Sequence, residues 1–194
     1  MGGPDHDPAR VQARRRLRHV GGDTCRGGID PDAVAKHLAE GGTLTEYPRA
    51  KPIPAEQLVA LDCEVLIPAA LGGTIHAANA DSVRARMVIE GANNPTTPTA
   101  DEILRQRGVL VVPDVLANAG GVVVSYFEWV RNLQHARWDE HEVNNKLGAR
   151  MRAAYREVEQ RAAALSVSLR VAAYELAIER VLEAIRLRGY GRYA

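Results

Sequence analysis

The sequence predicts an α/β fold: a parallel sheet of a few strands followed by long C-terminal helices. Three observations carry this. Short apolar runs at Cys63–Ile67, Arg86–Glu90 and Val109–Val112 are rich in Val, Leu and Ile, as buried parallel strands are. Each run leads into a small-residue loop: Ala69–Thr74, Gly91–Pro95 and, past Pro113, Asn118–Gly121. Helical patterns fill the spaces between the runs and the whole chain after Gly121. One loop of this kind is commonplace. Three on the same side of a sheet suggest a crevice outside the carboxyl ends of the strands, where open α/β sheets bind ligands.

Composition narrows the class without choosing a partner. The 194 residues suffice for one domain with a real core. Hydrophobic residues make up 46% and charged residues 25%, ordinary values for a soluble globular chain, and the net charge is +1, which favours neither nucleic acid nor an acidic partner. Cys25 and Cys63 stand apart with no metal-ligand spacing, so a reducing, cytoplasmic setting is expected. No apolar run approaches the roughly 20 residues of a membrane span, and Met1–Asp5 opens no secretory h-region.

Taken in order, residues 1–27 form a basic segment, with Arg10, Arg14, Arg15, Arg16 and Arg18 close together. It reads as a disordered tail, as a short amphipathic helix around Val11, Leu17 and Val20, or as sequence foreign to the fold. It contains no aromatic residue to interleave with the arginines, which argues against specific nucleic-acid binding. Residues 28–194 are orderly. Asp30-Pro31 is a helix start, with an N-cap and proline at the first helical position, and Gly41-Gly42 is a stop. Thr43–Ile53 is a loop or short extended piece, and Pro54–Leu61 a short helix. Ile75–Val83 is expected to be helical. Thr97-Pro98 opens a helix that ends at Gly108. After Gly121, Asp139 with Glu142 resembles a capping box, and Val143, Leu147, Met151, Ala154, Tyr155 and Val158 share one face of the helix that follows. Ser168 opens the last helix, with Val171, Tyr174, Ala177, Ile178, Val181, Leu182 and Ile185 predicted inward and Gly189 closing it.

The stretch Asp114–Trp129 offers Asn118 and Ser125 as polar groups beside glycines that admit a ligand to the backbone. Its ordinary structural reading is a helix start with glycines for close packing. The motifs Gly91-Ala92-Asn93-Asn94-Pro95-Thr96-Thr97-Pro98 with Ala100–Leu104, Asn118–Trp129 and Ile67-Pro68-Ala69-Ala70 resemble the glutamate dehydrogenases of the Glu/Leu/Phe/Val dehydrogenase family. The resemblance runs from Gly28 to about Tyr190. It implies the later strands of a Rossmann-like nucleotide-binding domain and its closing helices. It also implies a cytoplasmic, homo-oligomeric parent enzyme that interconverts glutamate with 2-oxoglutarate and ammonia using NAD or NADP. By the same resemblance Ala69, Ala70, Asn93 and Asn118 lie along the cofactor, Ser125 donates to the substrate's side-chain carboxylate, and Val122 is a wall of that pocket. A hydroxyl near a helix start suits a carboxylate.

Several family features are missing. No G-x-G-x-x-G turn precedes Gly28, and neither Gly21-Gly22 nor Gly27-Gly28 substitutes for it. Asp23 is not assigned the ribose-binding role, because no strand is recognisable ahead of it. The lysines are Lys36, Lys51 and Lys146, and none has the glycine-rich context of the family's catalytic lysine; Asp5 and Asp7 do not match the catalytic aspartate. The expectation is a truncated glutamate dehydrogenase, inactive as this chain alone, with its first 26 or so residues read in the wrong frame. The alternative is a non-catalytic nucleotide-binding or partner-binding paralogue. His135 and His141, six apart, lack the i, i+4 spacing of a helical zinc pair, so no metal site is assigned.

Overall fold

Helix caps and short strands place most of the chain. In the computed structural model, residues 22–24, 30–43, 46–48, 51–135 and 137–189 are described. They belong to two compact units, one up to Leu61 and one from Asp62 onward.

In the first unit, strand β1 (Gly22–Thr24) pairs antiparallel with β2 (Lys51–Ile53), Asp23 opposite Pro52. Helix α1 (Pro31–Ala39) starts where expected: the Asp30 carboxylate accepts the Asp32 N–H at 3.1 Å, and proline occupies the first turn. Helix α2 (Ala55–Leu58) is a single turn inside the expected Pro54–Leu61 helix. Val34 and Tyr47 form a small core with Ala33 and Leu38 against it. β1 falls within the basic N-terminal segment; the arginine cluster and the helix expected around Val11, Leu17 and Val20 lie outside the described residues.

The second unit carries the predicted parallel sheet, with β3 (Val65–Leu66), β4 (Met87–Ile89) and β5 (Leu110–Val112) in the order β3-β4-β5. Leu66 pairs with Val88, and Val88 with Val111. The strands are shorter than the apolar runs that predict them. β3 lies at a sheet edge and leaves Val65 exposed.

The crossover from β3 to β4 corrects an expectation. Residues 75–83 are not a helix; only Ala80–Ser82 makes a single 3₁₀ turn. Ile75 is held extended by a parallel bridge to Thr96, with its N–H donating to Pro95 O at 2.8 Å and Thr97 N–H donating to its carbonyl at 2.9 Å. The Asn79 side chain then accepts the His76 N–H at 2.8 Å and donates to Thr74 O at 3.0 Å. Such local side-chain bonds compete with the helical ladder. The next crossover is helical as expected: Thr97 caps α3 (Pro98–Gln106), and Gly108 ends it with φ 72°. Beyond α3, the Arg107 guanidinium donates to Ala80 O and Val83 O, both at 2.8 Å, and ties the two crossovers together.

After β5 a one-turn helix, α4 (Asp114–Ala117), precedes α5 (Gly120–Gln134); the sequence reading missed α4. Two long helices close the chain, α6 (Glu140–Leu165) and α7 (Leu169–Leu187). Asp139 accepts the Glu142 N–H at 2.7 Å and Ser168 accepts the Val171 N–H at 3.3 Å, so both predicted caps form. The main core joins Val112 and Leu116 to Val158, Ala162, Leu169, Ala172, Ala173 and Leu176, with Ala154 and Tyr155 packed against it.

The predicted inward face of α7 is corrected. Leu169, Ala172, Ala173 and Leu176 are buried, whereas Val171, Tyr174, Ile178, Val181, Leu182 and Ile185 are exposed and Ala177 is half-buried. The alanines let the helix approach β5 and α6 closely, and the bulky residues turn away.

Candidate functional site

The loops after β3 and β4 meet the corner between α4 and α5 in an open cleft of about 770 Å³. Its lining is Ala70, Leu71 and Gly72 after β3, Gly91, Ala92 and Asn93 after β4, and Asn118, Gly121, Val122 and Ser125 from the corner and α5. The last four residues recur at i, i+3, i+4 and i+7, so they share one face of the turn and helix. The walls are mainly backbone and small side chains. Polar side-chain chemistry comes from Asn93, Asn118 and Ser125.

Close backbone approach shapes the cleft. A Cβ on Gly91 would lie 3.0 Å from the Ala69 Cβ, so glycine allows the β3 and β4 loops to touch. The Asn94 backbone is left-handed, at φ 47°, an unusual state for a residue with a side chain. It is held from both ends: its N–H donates to Asp114 Oδ2 at 2.7 Å, and its carbonyl accepts the Gly73 N–H at 2.8 Å. Beside it, Asn118 Nδ2 donates to Asn93 Oδ1 at 2.7 Å. That bond leaves Asn93 Nδ2 and Asn118 Oδ1 without a partner among the described residues, one donor and one acceptor at the cleft.

Beneath the loop lies a charged network. Glu90, fully buried at the end of β4, accepts the Asp114 N–H at 2.8 Å and the Arg170 Nη2 at 2.7 Å. Arg170 Nη2 also reaches Asp101 Oδ1 at 3.1 Å, and Nη1 lies 3.5 Å from Asp114 Oδ1. Burial alone pushes the Arg170 guanidinium down. Glu90 and Asp101 together reverse that and hold it above the ordinary arginine range.

Of the residues nominated by the sequence, the structure brings Ala70, Asn93, Asn118, Val122 and Ser125 to one cleft. Ala69 is exposed and lies against Gly91, outside the cleft lining. Ser125 is the sixth residue of α5, in its second turn rather than at the helix start. Lys146 is engaged elsewhere, 3.3 Å from Glu142 and 4.9 Å from the Trp138 ring centroid. His135 ends α5 and His141 lies in the first turn of α6; no group of three or more metal-ligating side chains occurs among the described residues. Sequence reasoning missed Glu90, Asp114 and Arg170. Arg170 carried a signal, because a cation in the first turn of a helix opposes the helix dipole and calls for nearby carboxylates.

A three-stranded parallel sheet with small-residue loops gathered at its carboxyl ends defines the later part of a Rossmann-like α/β domain. The chain belongs to the Glutamate/Leucine/Phenylalanine/Valine dehydrogenase family, whose model matches residues 20–189. The match begins ahead of Gly28, where the motif resemblance begins. Among its relatives, the glutamate dehydrogenase of Thermotoga maritima is 51% identical over 162 residues, covering 84% of this chain and 39% of that protein. Among solved structures, the hetero-hexameric glutamate dehydrogenase of Thermus thermophilus in its Leu-bound form superposes with a TM-score of 0.80 at 36% identity, covering 90% of this chain and 41% of that one. Glutamate dehydrogenase from Peptoniphilus asaccharolyticus gives 0.69 at 36% identity, covering 85% and 36%. The chain thus spans about two fifths of the length of these relatives.

Proposed function

We propose that the cleft is the nicotinamide-side half of an NAD or NADP site belonging to a glutamate dehydrogenase. The observation that carries this is the Asn118–Asn93 bond, which presents a free amide donor and a free carbonyl acceptor over a glycine-lined wall. A primary carboxamide, which nicotinamide carries, answers both. Gly72, Gly91 and Gly121 leave room for a flat ring against the backbone. Ala69 and Ala70 lie along the path of the cofactor, Ala70 in the cleft lining and Ala69 beside Gly91. Ser125 is the hydroxyl offered to the distal carboxylate of glutamate or 2-oxoglutarate, and Val122 shapes that pocket. When bound, the cofactor supplies hydride transfer. This chain's residues bind, orient and desolvate.

The same reading makes the matched residues 20–189 the cofactor-side part of a larger oligomeric enzyme, so the boundary expected at Gly28 moves toward the N-terminus. No described helix is long and apolar enough to cross a membrane. The proposal is tested by calorimetric titration with nicotinamide mononucleotide and with adenosine monophosphate. The first binds and the second does not, because no G-x-G-x-x-G turn is present to hold the adenosine half. Equal binding of both, or of neither, contradicts it.

A second reading has its own observation. Helix α5 exposes Val122, Tyr126, Trp129 and Leu133, and α7 exposes Ile178, Val181 and Leu182. Apolar surface of this extent marks an interface. On this reading the chain is a non-catalytic, partner-binding relative, and sedimentation with and without a full-length glutamate dehydrogenase distinguishes it.

A further inference from the structure

We infer that Arg170, Glu90 and Asp114 form a positioning relay that holds the Asn94 backbone left-handed and thereby sets the Asn93–Asn118 pair at the cleft. The inference rests on the cofactor reading above and goes beyond it, because none of the three residues lines the cleft.

The relay is continuous. Arg170, in the first turn of α7, grips the buried Glu90 at 2.7 Å across 80 residues of sequence. The second Glu90 oxygen takes the Asp114 N–H at 2.8 Å and fixes the first turn of α4. Asp114, itself buried, uses Oδ1 for its neighbour's Val115 N–H at 2.8 Å and Oδ2 for the Asn94 N–H at 2.7 Å. Each carboxylate oxygen of Glu90 and Asp114 therefore has a donor, as buried charges require. Asn94 would otherwise relax from a backbone state that costs strain. Because Asn93 is its chain neighbour, relaxation would turn the Asn93 amide away from Asn118. The last helix thus acts on the loop after β4 through Glu90 and Asp114.

Two variants of the full chain test this, each followed by nitrogen-edited NMR of the Asn94 amide and by titration with nicotinamide mononucleotide. Asp114→Asn puts an amide group against one of the N–H donors. Arg170→Lys keeps a charge on Glu90 but loses the planar fork that also reaches Asp101 and Asp114. The comparator is Val158→Ala, which weakens the core without touching the relay. The expected result is an upfield Asn94 amide proton in both relay variants and an affinity for the mononucleotide lower by about tenfold, the size of a lost charge-assisted bond. Val158→Ala lowers Tm and leaves both signals in place. An unchanged Asn94 amide and affinity in the folded relay variants overturns the inference, as does an equal change in Val158→Ala. Failure of the unsubstituted chain to bind the mononucleotide sinks the cofactor reading instead, and the Asn94 amide still decides whether the relay holds the loop.

Discussion

Asn118 and Asn93 lie 25 residues apart in sequence and meet side chain to side chain at 2.7 Å, joining the corner before α5 to the loop after β4. Both residues line the cleft, and the pair's unused donor and acceptor define what the cleft can recognise. Removing either amide should therefore cost ligand rather than fold. Asn118→Ala is expected to weaken nicotinamide mononucleotide by about 1 kcal/mol, roughly fivefold, with Tm nearly unchanged, as read by calorimetry and a thermal melt.

Catalysis is a separate matter. Lys146 is committed to Glu142 and Trp138, and no lysine is among the described residues that line the cleft. With no amine to polarise a carbonyl or move a proton there, the pure chain supplied with glutamate and NAD or NADP should form no reduced cofactor. Steady glutamate-dependent reduction by the pure chain, followed by absorbance, would refute this.

The exposed faces of α5 and α7 should make the chain self-associate. Ile178→Glu and Leu182→Glu, at positions 56% and 47% exposed, are expected to reduce association in sedimentation without lowering Tm. A drop in Tm of several degrees would mean that these side chains pack inward after all.

Inside the core the expectation reverses. Leu176 and Ala172 are buried between α7, α6 and the sheet. Leu176→Ala should cost about 2–5 kcal/mol by leaving a cavity, and Ala172→Leu about 1–3 kcal/mol by overfilling the contact. Denaturant melts read both.

Acid stability should respond at Glu102. Hydrogen bonds from Arg105, then from Gln106, hold its carboxyl down at about 2, against an ordinary 4.5. A depressed carboxylate contributes stability above its unfolded pKa and loses it as pH falls through the folded value. The contribution therefore fades between about pH 4.5 and about pH 2. Glu102 is exposed, so the effect is small and salt should screen it. Glu102→Gln should flatten that part of the acid melt, and an unchanged melt would remove the pair from the account.

What was legible in the sequence was what depends on local pattern. The apolar runs around Val65, Val88 and Val111 became strands, and Asp30, Thr97, Asp139 and Ser168 became caps, because a capping oxygen and the first-turn N–H it serves lie within three residues. The motifs also brought Asn93, Asn118 and Ser125 to the same cleft. What failed depended on tertiary choice. Helical periodicity in α7 favoured the face with the largest side chains, but close packing against the sheet selected Ala172 and Ala173. Ile75 reads as helical until its pairing with Thr96, 21 residues on, is known. The link from Arg170 to Glu90 joins elements far apart in sequence: a first-turn arginine calls for carboxylates, but no local pattern says which ones answer.

The most direct test of the central claim is to map nicotinamide mononucleotide onto the chain by nitrogen-edited NMR. Saturating shifts are expected at Ala70, Asn93, Asn118 and Gly121, and in Asn118→Ala the remaining ones should saturate only at about fivefold higher ligand concentration. No saturating shift, or shifts that fall outside the cleft and saturate at the same concentration in Asn118→Ala, would contradict the cofactor reading.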